Sequence, residues 1–121
     1  LGLKGHHDKS KNWDLYLSIK SCLNIEKKSN VLDAGSGSKA VFAKSMHQLG
    51  FLNGYACDVQ KINVPNVRNS QCDITRTPYE DDFFTVIACL SVIEHGVDLV
   101  DFSEEMFRIC KPGGELIIIR L

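Results

Sequence analysis

The sequence predicts an α/β domain, a mostly parallel, doubly wound sheet with helices on both faces. Three observations carry this. Strand-like and helix-like segments alternate along the chain. The apolar runs 84–90 and 116–119 are nearly continuous, as in strands buried on both sides. A turn of small residues over 34–38 joins a short strand to a helix, the junction at which such sheets hold ligands.

Each element has its own reason. Leu15, Ile19, Cys22 and Leu23 recur at i, i+4, i+7 and i+8 and predict a helix over 11–23. A polar break, 24–30, separates it from Val31 and Leu32, which lead into Asp33 as a short buried strand. The turn Ala34-Gly35-Ser36-Gly37-Ser38 follows, then a helix with Phe42, Met46 and Leu49 on one face. Gly50 is its expected stop at the left-handed position. Gly54 to Cys57 is a second short strand ending at Asp58. Residues 59–70, with Pro65 and three asparagines, predict a loop or a poor helix, then a weak strand up to Cys72. Thr75 to Asp82 is polar and contains Pro78. The run 84–90 is a strong buried strand. Asp98 is a good N-cap for a helix whose face is Leu99, Phe102, Met106 and Ile109. Lys111-Pro112-Gly113-Gly114 is expected to end that helix, leaving Leu116 to Leu121 as the last strand. There is no internal repeat and no low-complexity tract.

Composition narrows the function classes. At 121 residues the chain fits one domain with one core. Hydrophobic residues make up 44% and charged residues 24%, ordinary for a soluble globular protein. Fourteen basic against fifteen acidic side chains leave a net charge of -1, with no basic excess to attract nucleic acid or anionic lipid. No apolar run approaches the roughly 18 residues of a membrane span, and the polar, Gly/His-containing start, 1–11, is not a signal peptide. The five cysteines are odd in number, widely spaced and without a CxxC pair, so they read as buried free thiols in a reducing, cytoplasmic setting rather than as zinc ligands.

The glycine turn is the first functional signal. Gly35-x-Gly37-x-x-Ala40 fits the dinucleotide fingerprint, and Asp58 lies 18 residues beyond Ala40, near the expected place of a ribose-binding acid. Asp33 speaks against a pyrophosphate, because a carboxylate at the tip of the first strand repels phosphate charge. It suits a ligand carrying an ammonium and a sulfonium. S-adenosylmethionine has both, with one carboxylate for the helix N-terminus.

Five segments in order make the resemblance specific. Val31-Leu-Asp33-Ala34-Gly35-Ser36-Gly37 resembles the first motif of class I S-adenosylmethionine-dependent methyltransferases, and the wider pattern resembles the subgroup called type 11 methyltransferases. Tyr55-Ala-Cys-Asp58-Val59 resembles the second motif, whose acid binds the ribose hydroxyls. Gln71-Cys-Asp73-Ile74 resembles the third, whose acid meets the adenine amine. Pro78 through Phe84 to Leu90-Ser91-Val-Ile-Glu94-His95 is similar to the fourth strand and its exit, with Leu90 and Ser91 beside the expected methyl group. Arg108-Ile-Cys-Lys111-Pro112-Gly113-Gly114 is similar to the helix-to-fifth-strand signature. Two positions depart from the pattern: Lys39 replaces the third glycine of the first motif, and Thr85 stands where an Asp is common.

The resemblance implies S-adenosylmethionine as methyl donor, S-adenosylhomocysteine as product and a Rossmann-like sheet. The site residues it implies are Asp33, Ala34, Gly35, Ser36, Gly37, Asp58, Val59, Asp73, Ile74, Leu90 and Ser91. Methyl transfer from a sulfonium is an in-line displacement that rests largely on alignment. Where an acceptor must lose a proton, His95 is the candidate base and Glu94 its neighbour. His6, His7 and Asp8, with Lys9, Trp13 and Tyr16, form a second polar cluster before the core, without partner ligands at metal-binding spacing. The N-terminal stretch 1–28 is expected to act as a cap helix region over a cofactor-binding core, 29–121.

Both ends look cut. The family order is 3-2-1-4-5-7-6, and this chain supplies strands for 3-2-1-4-5 only. Residues 116–119 then become an exposed apolar edge, as in a truncated chain or one covered by a second copy in a homodimer. The expected acceptor is a small molecule, with no nucleic acid and no membrane. Two alternatives remain open: a non-catalytic, methyltransferase-like cofactor-binding or scaffold domain, and an NAD-binding module.

Overall fold

A computed structural model describes residues 9–90 and 96–119, with side chains from residue 15 onward. The elements are α1 (Lys9–Cys22), β1 (Asn30–Ala34), α2 (Val41–Gln48), β2 (Asn53–Asp58), β3 (Arg68–Gln71), β4 (Phe84–Leu90), α3 (Leu99–Ile109) and β5 (Cys110–Ile119). The strands form one five-stranded sheet in the order β3-β2-β1-β4-β5. Every pairing is parallel. This is the expected Rossmann-like, doubly wound architecture.

The sheet buries two different faces. On one, Leu15, Ile19 and Cys22 of α1 and Phe42 and Met46 of α2 pack over Val31 of β1 and Val86 and Ala88 of β4. On the other, Phe102, Met106 and Ile109 of α3 pack over Leu32 of β1 and Ile87 and Cys89 of β4. Alternation along β1 and β4 sends successive side chains to opposite faces, so one strand feeds both layers.

The segment read as a loop or poor helix carries no helix. After Asp58 the chain is irregular until β3, yet Ile62 and Val64 are buried against Ala40, Ala43 and Ala56. The loop therefore covers the sheet with two side chains where a helix would use a stripe. Between β3 and β4 a cluster of aromatic rings does the same job. Tyr55 meets Tyr79, Phe83 and Phe84 edge-on, with ring centroids 5.3–5.9 Å apart.

Three local expectations need correction. Leu23 lies beyond the end of α1 and is exposed, because the helix stops at Cys22. Leu99 is half-exposed, since the first turn of α3 borders an open cavity, where Asp98 and Asp101 line it; the buried stripe is Phe102, Glu105, Met106 and Ile109. The last strand begins at Cys110, not at Leu116: its register jumps from Phe84↔Cys110 to Val86↔Glu115, so the Lys-Pro-Gly-Gly segment is absorbed as an irregularity within β5. Gly114 makes that hook possible. A Cβ there would lie 2.9 Å from both the Thr85 carbonyl and the Cys110 sulfur, closer than packing allows.

β5 is an edge strand, as expected, and Leu116 and Ile118 on it are 37% and 40% exposed. All five cysteines are free thiols; Cys22, Cys57 and Cys89 are buried, Cys72 and Cys110 half-buried. Among the described residues no helix is long and apolar enough to cross a membrane, and no cluster could hold a metal ion.

Candidate functional site

The glycine turn leaves β1 and is stitched to the end of β2. The Ser36 amide donates to the Cys57 carbonyl at 3.0 Å, and the Gly37 amide donates to Asp58 Oδ2 at 2.8 Å. Gly35 and Gly37 both take positive φ, at 63° and 68°, which only glycine adopts without strain. Ala40 then takes φ 42° as the N-cap of α2 and has no side chain with which to cap it.

Asp33 supplies what Ala40 cannot. It reaches from β1 beneath the turn, and its Oδ2 accepts from the Ala43 amide at 3.1 Å, inside the first turn of α2. The carboxyl is buried at 3% exposure. Burial first, and then the neighbouring Asp58 charge, push its pKa up to about 7, against the opposing pull of the Ala43 and Phe42 amides. An acid so placed is incompletely neutralised by the protein around it, and a cationic group brought alongside would favour its charged form.

Asp58 ends β2 with both oxygens engaged: Oδ2 by the Gly37 amide, and Oδ1 by the Gln60 amide at 3.1 Å. Each oxygen retains a second lone pair, which suits it to a vicinal diol. Asp73 follows β3. Its Oδ1 accepts from the Thr75 amide at 2.8 Å and the Thr75 hydroxyl at 2.7 Å, and these bonds hold its pKa below the ordinary carboxylate range.

These groups line one cavity of about 920 Å³ at the carboxyl ends of the strands. It contains Asp33, Gly35, Ser36, Gly37, Asp58, Val59, Asp73, Ile74 and Leu90. Ala34 does not reach it; its methyl is fully buried in the α3-side core below the turn. Ser91, Glu94 and His95 lie outside the described residues, as do His6, His7 and Asp8.

Other lining residues were not singled out as site residues: Gln60, Cys72, Thr75, Val97 and Asp101, with Leu15 and Phe42 at the α1–α2 side. Asp98 lines the cavity too, besides capping α3 through the Val100 and Asp101 amides at 3.0 Å. A sequence signal existed for that part, since Asp98 and Asp101 open the helix that follows the fourth strand. Among the described lining residues the charged side chains are Asp33, Asp58, Asp73, Asp98 and Asp101 against Lys39. Such a lining attracts a cationic ligand and repels a pyrophosphate.

Comparisons with known proteins show the family and the fold. A family model described as "Methyltransferase domain" matches residues 32–118. A ubiquinone/menaquinone biosynthesis C-methyltransferase of Pectobacterium carotovorum is 24% identical over 112 residues, covering 81% of this chain and 45% of the relative. The YcgJ protein of Bacillus subtilis superposes with a TM-score of 0.77 at 22% identity, over 89% of this chain and half of that one. A geranyl diphosphate C-methyltransferase of Streptomyces coelicolor, solved with geranyl diphosphate and S-adenosyl-L-homocysteine, superposes with a TM-score of 0.74 at 16% identity, over 89% of this chain and 44% of that one. The chain thus spans about half the length of each of these three proteins.

Proposed function

The chain belongs to the methyltransferase-domain family, with S-adenosylmethionine as its cofactor, and on that premise we propose that it directs in-line methyl transfer to a small-molecule acceptor. The carrying observation is an acid-lined cavity that collects the glycine turn, Asp58 and Asp73 above a buried Asp33. S-adenosylmethionine supplies, when bound, an electrophilic methyl group with its leaving group already attached.

The residues divide the work of holding it. Asp58 accepts from the ribose hydroxyls through the lone pairs left free by Gly37 and Gln60. Asp73 accepts from the adenine amine, and Ile74 gives the ring an apolar wall. Gly35 to Gly37 let the backbone approach the amino-acid end, while Asp33 offsets its positive charge. Leu90 and Ser91 flank the methyl group. The chain's own part is alignment: an acceptor atom held opposite the carbon–sulfur bond would displace the sulfur with an electron pair, the sulfur keeping the bonding pair. Any proton released goes to His95, helped by Glu94, or to solvent. An unchanged turnover in His95→Ala would remove that role.

The acceptor follows from charge. A balanced chain, at net -1, does not favour nucleic acid, and an acid-lined cavity favours a neutral or cationic small molecule. The free cysteines support a cytoplasmic setting, away from a membrane, and the open edge of β5 supports a pairing of two copies. Light scattering returning a monomer mass would remove the dimer.

Calorimetric titration with S-adenosylmethionine, S-adenosylhomocysteine and NAD tests the core of the proposal. Binding of the first two without NAD is expected; NAD binding alone would overturn it. Incubation with a metabolite extract and methyl-labelled donor then separates a transferase from a cofactor-binding scaffold, which leaves every metabolite unlabelled.

A further inference from the structure

Between β3 and β4 the chain has no helix to brace it, yet Cys72, Asp73, Ile74 and Thr75 there line the cavity. Besides their own turn and the Cys72 amide's bond to the Asp58 carbonyl, what holds them comes from α3. Glu105 lies on the buried stripe of that helix, an unusual place for a carboxylate, at 8% exposure. Its Oε2 accepts from the Thr77 amide at 2.7 Å and from the Thr77 hydroxyl at 2.6 Å. Arg108, one turn on, donates to the same carboxylate with Nε at 2.8 Å and Nη2 at 2.7 Å, a bidentate pair. The other arm of the guanidinium reaches Asp81 at 2.8 Å. Further along, the Asp82 and Phe83 amides donate to the Arg108 and Ile109 carbonyls, both at 2.9 Å.

These attachments differ in what they can control. The bonds at 81–83 fix the entry to β4. The Thr77 bonds act on a tight turn in which the Arg76 amide donates to the Asp73 carbonyl at 2.9 Å and Asp73 bridges Arg76. Thr77 therefore follows directly on the turn that runs from Asp73 to Arg76. Glu105 itself stands outside the main cavity, so it touches this turn from behind.

We propose that Glu105 is a positioning residue for the methyl donor, clamping Thr77 so that Asp73 and Ile74 stand in register with the adenine ring. Arg108 keeps the clamp charged and oriented, and a glutamate is needed because one oxygen must accept from an amide, a hydroxyl and a guanidinium together. The inference rests on the donor reading above, in which Asp73 meets the adenine amine.

The test separates S-adenosylhomocysteine from S-inosylhomocysteine, whose 6-oxygen replaces the amine. The wild-type chain is expected to prefer the former at least tenfold by calorimetry. Glu105→Ala is expected to lose most of that preference, with Glu105→Gln between the two. Phe51→Leu, a change in the opposite core, is expected to lower stability and leave the preference intact. A preference unchanged in the Glu105 variants would overturn the clamp. Absence of any wild-type binding would instead overturn the donor reading and the clamp with it. Should Glu105→Ala fail to fold, Glu105→Gln and Thr77→Val carry the same comparison.

Discussion

Two of the three carboxylates buried among the described residues, Glu105 and Asp33, are treated oppositely by the protein. Glu105, under α3, has a guanidinium, an amide and a hydroxyl on it, and Arg108 above all holds its pKa down to about 2. Asp33, at the tip of β1, has helix amides alone against its burial and against Asp58, and its pKa rises to about 7. One is satisfied by the fold; the other has two helix amides and, among the described residues, no cation against it. A buried charge short of a partner is costly, and it persists where a ligand completes it.

The largest expected effect comes from removing the satisfied carboxylate. Glu105→Ala leaves Thr77 without its acceptor and Arg108 with Asp81 alone, and should lower stability by about 3 kcal/mol in urea melts. A loss below about 1 kcal/mol would mean that the two carboxylates are not so different.

Asp33→Asn should act in the opposite direction on the free protein. The amide oxygen still accepts from Ala43, and the ionisation disappears. Because the folded pKa of Asp33 lies above its ordinary value of 3.8, its contribution to stability is fully present below about pH 4 and is lost as pH rises through about 7. At pH 8 the variant should therefore be the more stable, by up to a few kcal/mol, and the slope of stability between pH 4 and 7 should flatten. Its affinity for S-adenosylmethionine should fall, and further than that for S-adenosylhomocysteine, which lacks the sulfonium charge. Glu105 has the reverse sign: its contribution is present above its ordinary 4.5 and is lost as pH falls through about 2. Acid melts of Glu105→Gln should lose that low-pH limb.

The smallest effect sharpens the comparison at the surface. Asp98 caps α3 while exposed to solvent, so Asp98→Ala should cost about 1 kcal/mol, far less than removal of Glu105 from the same helix. Thermal melts of the two variants side by side would check the ranking.

Much of this was legible in the residues. The turn from Asp33 to Ala40 announced itself by glycine spacing, Asp58 by its place 18 residues beyond Ala40 at the end of a short strand, and Asp73 by the resemblance of its segment to the third motif. Glu105 was not legible. It occupies a helical position between Phe102 and Met106 on the buried face, where periodicity marks only a polar interruption. Its partners Thr77 and Asp81 lie in a segment whose local pattern reads as plain polar loop. Leu99 misled for a related reason, since helical spacing says which residues share a face but not where the covered sheet ends.

The sequence by itself determined the alternation of strands and helices, the parallel sheet and the place of the glycine turn, because these depend on local periodicity and on conformations that glycine adopts most readily. Only the tertiary structure decided how Asp33 caps a helix whose own N-cap is an alanine, how β5 absorbs Lys111 to Gly114 within its register, and how Glu105 finds Thr77. Those outcomes turn on which groups meet across a crossover connection, and a buried carboxylate's charge is settled by the neighbours it meets there rather than by those beside it in the chain.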